Sequence, residues 1–304
     1  MKSYNRIFLL IIITLFYTFQ VACAQIQQKT PDKKDSFSFV FMTDVHIQPE
    51  RHAVEGVLQA IDTINKIEPD FVLTGGDNVM DASSQSLGRA DSLYSLFTNT
   101  MKVLKMPWYS TFGNHETFGL HKKDFTSEQR KGMYKKYFEK TYYTFEHKGW
   151  QFIVLDAIMY GDGREDRYYG QIDSVQMDWM KSVFDTIGTE KPVIVSLHIP
   201  ILSVGDQIEK NGFTPRSVIR RGNAMELIRL FEAHNVKAVL QGHLHMYEDI
   251  SFNGIHYITA GAVCGGWWEA RLPGKEREEG FLLVNINGDE FTSEYIDYGW
   301  DVEE

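Results

Sequence analysis

The strongest constraint on this chain is a recurring arrangement in which a short apolar run stops on Asp, Asn or His. "SFSFVFMTDVH" (36–46) ends in Asp44 and His46, "PDFVLTGGDN" (69–78) ends in Asp77 and Asn78, and "PWYSTFGNHE" (107–116) ends in Asn114, His115 and Glu116. "KPVIVSLHIP" (191–200) carries His198, and "VKAVLQGHLH" (236–245) carries His243 and His245 behind Gly242. Short runs of β-branched and aromatic residues, bounded by Gly, Pro and Asn, read as buried strands. Between them, Val54, Val57, Leu58, Ile61 and Ile64 recur at helical spacing and predict a helix over 51–67. Further helices are predicted over 84–105, 174–187 and 223–234, with a charged loop and a short helix over 117–140. "YYTFEHKGWQFIVLDA" (142–157) predicts a hairpin turning at Lys148-Gly149. A strand over 254–263 and a final hairpin over 281–297, joined at Asn287-Gly288, complete the chain.

Strands alternating with helices indicate an α/β fold. In open α/β sheets, ligands bind outside the carboxyl ends of the strands. Five segments therefore bring polar ligand atoms to one edge. His243 and His245 stand at i and i+2, so an extended backbone would aim both at one point. By themselves they fit either a satisfied polar strand end or a metal site, since neutral imidazole is the commonest metal-ligating side chain.

The 304 residues show no internal repeat and no linker, which predicts one domain over 37–304. A formal net charge of −10 argues against a nucleic-acid partner held by its phosphates. The N-terminus has the layout of a secretory signal peptide over 1–24: Lys2 and Arg6, an apolar run over 7–19, then Ala22-Cys23-Ala24. Cleavage there makes Gln25 the first mature residue, followed by a polar, disordered leader over 25–36. The expected location is periplasmic or secreted. The alternative is a lipoprotein anchored through Cys23, which is the only membrane contact expected; Gln20 fits that processing pattern poorly. No later segment is apolar for long enough to span a bilayer. Without Cys23, Cys264 stands alone and no intrachain disulfide forms.

Taken in order, the motifs are Asp44-x-His46, Gly76-Asp77, Gly113-Asn114-His115-Glu116, His198 and Gly242-His243-x-His245. This series resembles the calcineurin-like metallophosphoesterase superfamily, which carries D-x-H, G-D, G-N-H-[DE], H and G-H-x-H in that order. The blocks run from 44 to 245, most of the mature chain, and the 142–157 hairpin, the helix "QMDWMKSVF" and "PVIVSLHIPI" are similar to that family as well. The resemblance implies a four-layer α/β/β/α sandwich. It also implies dinuclear metal-dependent hydrolysis of a small-molecule phosphate ester, monoester or diester, by a metal-bridging hydroxide. Mixed His and carboxylate ligands suit Mn, Fe or Zn better than Ca or Mg.

By the same resemblance Asp77 bridges two divalent cations. Asp44, His46 and His245 complete the shell of the first, while Asn114, His198 and His243 complete that of the second. His115 is implied as the catalytic residue that protonates the leaving oxygen or steadies the phosphoryl group. The D-x-H opening, the G-N-H-E block and the hairpin are similar to the bacterial class III cyclic-nucleotide phosphodiesterases and their phosphatase cousins. Purple acid phosphatases are relatives that carry a Tyr where this chain has Met80 and lack the counterpart of His46. A cyclic-nucleotide or other small-molecule phosphodiesterase is the alternative activity, and a catalytically silent metal- or ligand-binding protein on the same scaffold is the alternative of another class.

Outside the motifs, Trp267 and Trp268 in "GAVCGGWWEA" are candidate substrate-binding residues, an aromatic wall for the leaving group, or else core packing. Asp156 is a candidate for orienting a ligand histidine. His52, His121, His147, His234 and His256 are read as surface or structural residues.

Overall fold

The computed structural model describes residues 36–161, 167–205, 218–269 and 278–301. The predicted signal peptide and nearly all of the predicted leader lie outside the described residues. Residues Asp35–Glu304 form one compact unit. Among the described residues no helix is long and apolar enough to cross a membrane.

The first half runs β1 (Ser36–Met42), α1 (Ala53–Ile67), β2 (Phe71–Thr74), α2 (Leu87–Met101), β3 (Trp108–Ser110) and α3 (Ser127–Phe138). Then come β4 (Tyr143–His147), β5 (Trp150–Val154), β6 (Ile158–Tyr160), β7 (Tyr168–Gly170), α4 (Ser174–Ile187) and β8 (Val193–Ser196). The chain closes with α5 (Arg221–Glu232), β9 (Val236–Gln241), β10 (Glu248–Phe252), β11 (Ile255–Thr259), β12 (Gly280–Asn287) and β13 (Glu290–Asp297). One sheet has the order β13-β12-β1-β2-β3, the other β10-β11-β9-β8-β5-β4, and β6 pairs with β7 as a separate ribbon. β1, β2 and β3 are parallel, as are β5, β8, β9 and β11.

Alternation along the strands explains the layering. Phe37, Phe39 and Phe41 of β1 share a buried cluster with Phe71 of β2 and with Phe152, Ile194, Leu240 and Ile258 from the other sheet. That cluster is the layer between the sheets, and Phe39 stacks on Phe71 at 4.9 Å within it. Residues of opposite parity face the helices: Val40 and Val72 join Val57, Ile61 and Ile64 of α1, whereas Val195 and Val239 join Phe184 of α4 and Phe231 of α5. The result is the expected α/β/β/α sandwich.

The 174–187 helix has the predicted bounds, and Asp173 caps it by accepting the Gln176 amide at 2.7 Å. The 142–157 hairpin turns at Lys148-Gly149 as predicted, both at positive φ. In the last hairpin Asn287 pairs with Glu290, so the turn is Gly288-Asp289, one residue later than predicted. The third strand is only three residues long, because the chain leaves the sheet at Thr111 to form a loop. β10 and the β6–β7 ribbon were not foreseen. β10 is mostly exposed and thus carries little apolar signal.

Candidate metal centre

All eight motif residues converge at the carboxyl ends of β1, β2, β3, β8 and β9. Asp44 Oδ1 lies 3.3 Å from His245 Nε2 and 3.8 Å from His46 Nε2. The two Nε2 atoms of His46 and His245 face each other at 3.1 Å. Asp77 Oδ2 lies 3.0 Å from His198 Nε2, 3.8 Å from His46 Nε2 and 3.9 Å from His115 Nε2. Asn114 Oδ1 is 3.1 Å from His198 Nε2, and the His198 and His243 rings are 5.1 Å apart. Among the described residues, Asp77 is therefore the carboxylate whose side chain faces imidazoles of both halves of the cluster.

An extended backbone, which would aim His243 and His245 at one point, is not what this loop adopts. β9 ends at Gln241, and His243 and His245 have φ of +75° and +53°, so the backbone is not extended between them. They diverge instead: His243 groups with Asp77 and His198, His245 with Asp44 and His46. Asp44, His46 and Asp77 also sit at φ between +46° and +53°. Left-handed backbone at non-glycine residues is strained and clusters at functional sites. Gly242 allows the close approach, since a Cβ there would lie 2.2 Å from Thr43 Oγ1 and 2.8 Å from Asp44 Oδ2.

Backbone carbonyls set the ring tautomers. His198 Nδ1 donates to Gly75 O at 2.8 Å and His245 Nδ1 to Gly265 O at 3.0 Å, which leaves each Nε2 facing the cluster. His115 Nδ1 donates to the Met80 carbonyl. Burial pushes His243 down to about 3, and burial with the His115 charge pushes His46 down to about 4, so both keep lone pairs. Burial by itself would raise Asp44 and Asp77, but the imidazoles facing them hold both well below the usual carboxylate range. These carboxylates are 0% and 1% exposed, and the imidazoles of His46, His115, His198 and His245 lie within 3.9 Å of them. Two buried carboxylates surrounded by inward-facing imidazole nitrogens make a donor set that fits divalent cations, and Asp77 has ligand atoms within 4.8 Å of one another both with His46 and His115 and with His198 and His243.

Glu116 holds the frame. Its Oε2 accepts from the amides of Asp77 at 2.9 Å and Gly113 at 2.8 Å, and its Oε1 from Asn78 at 2.5 Å and Val79 at 3.2 Å. One carboxylate thereby ties the Asp77 loop to the Asn114 loop. Burial and the Asp77 charge push it up to about 8, while the amide donors act in the opposite direction. The motif G-N-H-E contains this residue, but its reach back to 77–79 is long-range and unreadable from spacing. Glu116→Gln turns an acceptor oxygen into an amino group facing amide donors. It is expected to lower stability by about 1–3 kcal/mol in denaturant unfolding; an unchanged midpoint would remove this role.

The tryptophans separate. Trp267 is half-buried, with its ring 4.2 Å from that of His46 and 4.6 Å from that of His245. Trp268 is 1% exposed, and its Nε1 donates to the carbonyls of Val45 and His46, so a substrate cannot stack on it; that candidate assignment is corrected to core packing. Asp156 pairs with Lys131 at 2.7 Å rather than with a ligand histidine. His147 pairs with Asp70, His234 with the Leu230 carbonyl and His256 with Asp249, each away from the cluster.

The model of the family described as calcineurin-like phosphoesterase matches residues 37–247. The chain is similar to a 3',5'-cyclic-nucleotide phosphodiesterase of Nostoc sp., 24% identical over 243 residues, which cover 77% of this chain and 80% of that protein. It is also similar to purple acid phosphatase 3 of Arabidopsis thaliana, 24% identical over 317 residues, covering 97% of this chain and 84% of that one. Among solved structures it shares its fold with a dimetal phosphatase from Danio rerio, at 13% identity and a TM-score of 0.59, over 86% of this chain and 99% of that one.

Proposed function

The chain belongs to the calcineurin-like phosphoesterase family, and from that premise we propose that it hydrolyses small phosphate esters at a centre of two divalent cations. The observation that carries this reading is the Asp77 carboxylate, which meets His198 on one side and His46 on the other. Asp44, His46, Asp77 and His245 would hold one cation, and Asp77, Asn114, His198 and His243 the other. When bound, such cations lower the pKa of water and take up negative charge on phosphoryl oxygens. Mn, Fe and Zn fit the mixed imidazole and carboxylate donors.

The residues do the remaining work. Asp44 accepts the His243 amide at 2.9 Å, which fixes the loop bearing both terminal histidines. His115 stands outside both ligand sets. Its Nδ1–H is held by Met80 O, so it is the imidazolium form, with a second proton on Nε2, that would pass the Nε2 proton to a leaving oxygen and return to the neutral ring. Its side chain is 22% exposed, whereas those of His46 and His198 are 0% exposed, which suits a group that meets substrate.

A monoester substrate is the first reading, supported by the likeness to the Arabidopsis phosphatase. A diester is the second, supported by the likeness to the Nostoc phosphodiesterase. Export to the periplasm or medium is part of the proposal and rests on the N-terminal pattern alone. The test uses purified mature protein loaded with Mn²⁺ or Zn²⁺, p-nitrophenyl phosphate, bis-p-nitrophenyl phosphate and an EDTA control. EDTA-sensitive cleavage is expected, and the faster substrate names the ester class. Protein that holds metal and cleaves neither would favour the catalytically silent reading.

A further inference from the structure

Residues 263–268 run beside the metal centre as successive turns, and Gly265, Trp267 and Trp268 have φ of +50°, +70° and +58°. Left-handed backbone is a true outlier for a bulky residue and persists only where the surroundings impose it. Trp268 supplies much of that constraint. Its Nε1 donates to Val45 O at 3.0 Å and His46 O at 3.2 Å, and its ring fills the space above Gly56 of α1, where a Cβ would lie 2.2 Å from it. The Trp268 amide donates to Cys264 O at 3.0 Å. On the outer side Arg51 donates to Trp267 O at 3.3 Å and pairs with Glu269 at 2.7 Å.

This scaffold fixes Trp267 where core packing does not explain it. Its ring neighbours are the imidazoles of His46, His245 and His115, the last at 5.4 Å, and it stays half-buried. A large apolar ring is thus held at the rim of the centre, against His46 and His245 and 5.4 Å from His115, the residue proposed to protonate the leaving oxygen. We propose that Trp267 determines specificity by stacking on a flat ring in the leaving group, so that the preferred substrates are phosphate esters of aryl alcohols or nucleosides. The proposal rests on the hydrolytic reading of the same site, and Trp268 serves as the residue that positions Trp267.

Stacking of a base on an aromatic side chain is worth about 10-fold or more in affinity. The test compares wild type, Trp267→Leu and Trp267→Phe, each loaded with metal. Calorimetry measures binding of phenylphosphonate and propylphosphonate, whose carbon–phosphorus bonds are not hydrolysed. Wild type is expected to favour the phenyl ligand by about 10-fold. Trp267→Leu should abolish that preference and leave propylphosphonate affinity within about 3-fold, while Trp267→Phe should retain most of it. In parallel, kcat/KM is measured for adenosine 5'-phosphate and ribose 5-phosphate, which break the same type of ester bond. The nucleotide advantage should vanish in Trp267→Leu alone. No phenyl preference in wild type, an unchanged preference in Trp267→Leu, or equal loss of both ligands would each overturn the proposal. Should wild type cleave neither ester, these monoesters fail as substrates, and the phosphonates still decide the role of Trp267.

Discussion

Asp77→Asn is expected to strip the protein of both cations together and to abolish ester hydrolysis. The loss should exceed the roughly 10²–10³-fold that follows removal of one electrostatic group from an active site. The reason is the position of the carboxylate. Oδ2 is 3.0 Å from His198 and 3.8 Å from His46, while Oδ1 accepts the His115 amide at 2.8 Å. Asparagine keeps the size but removes the charge, and its amino group cannot hold a cation. Both halves of the cluster lose the same ligand at once. Metal analysis of the purified variant, with circular dichroism to verify the fold, checks this. A folded Asp77→Asn protein with full metal content would contradict the bridging assignment.

His115→Ala should behave in the opposite way. The metal content is expected to stay at the wild-type value while turnover falls by about 10²–10⁴-fold, the usual range for loss of a general acid. His115 Nε2 lies 3.9 Å from Asp77 Oδ2, and its other nitrogen is held by Met80 O. The ring is thus aimed into the site but not needed to close either ligand set. Its backbone amide, not its side chain, fixes Asp77, and alanine preserves that amide. Unchanged turnover would remove His115 from the mechanism. Loss of metal together with activity would make it a ligand instead.

The two variants depend on different amounts of structure, and so did their legibility. The strand ends that carry Asp44, Asp77, Asn114, His198 and His243 were readable because β-branched and aromatic runs stop on polar residues. The layering was readable for the same reason: Phe37, Phe39 and Phe41 alternate with Val40 and Met42, and each set has its own cluster. What spacing could not show is direction. The i, i+2 spacing aims His243 and His245 at one point only on an extended backbone, and positive φ at both turns them apart. Nor could it show Glu116 reaching four amides, or Trp268 filling the space above Gly56. Those contacts join segments distant in sequence, and a single residue name carries no record of its partner.

The most direct test is the number of metal ions per chain in wild-type mature protein, reconstituted with Mn²⁺ or Zn²⁺, freed of excess metal and measured by plasma mass spectrometry. Two ions per chain is the predicted result, one for each half of the cluster that Asp77 joins. Saturation at one ion, or none, would contradict the dinuclear centre on which the proposed hydrolysis depends.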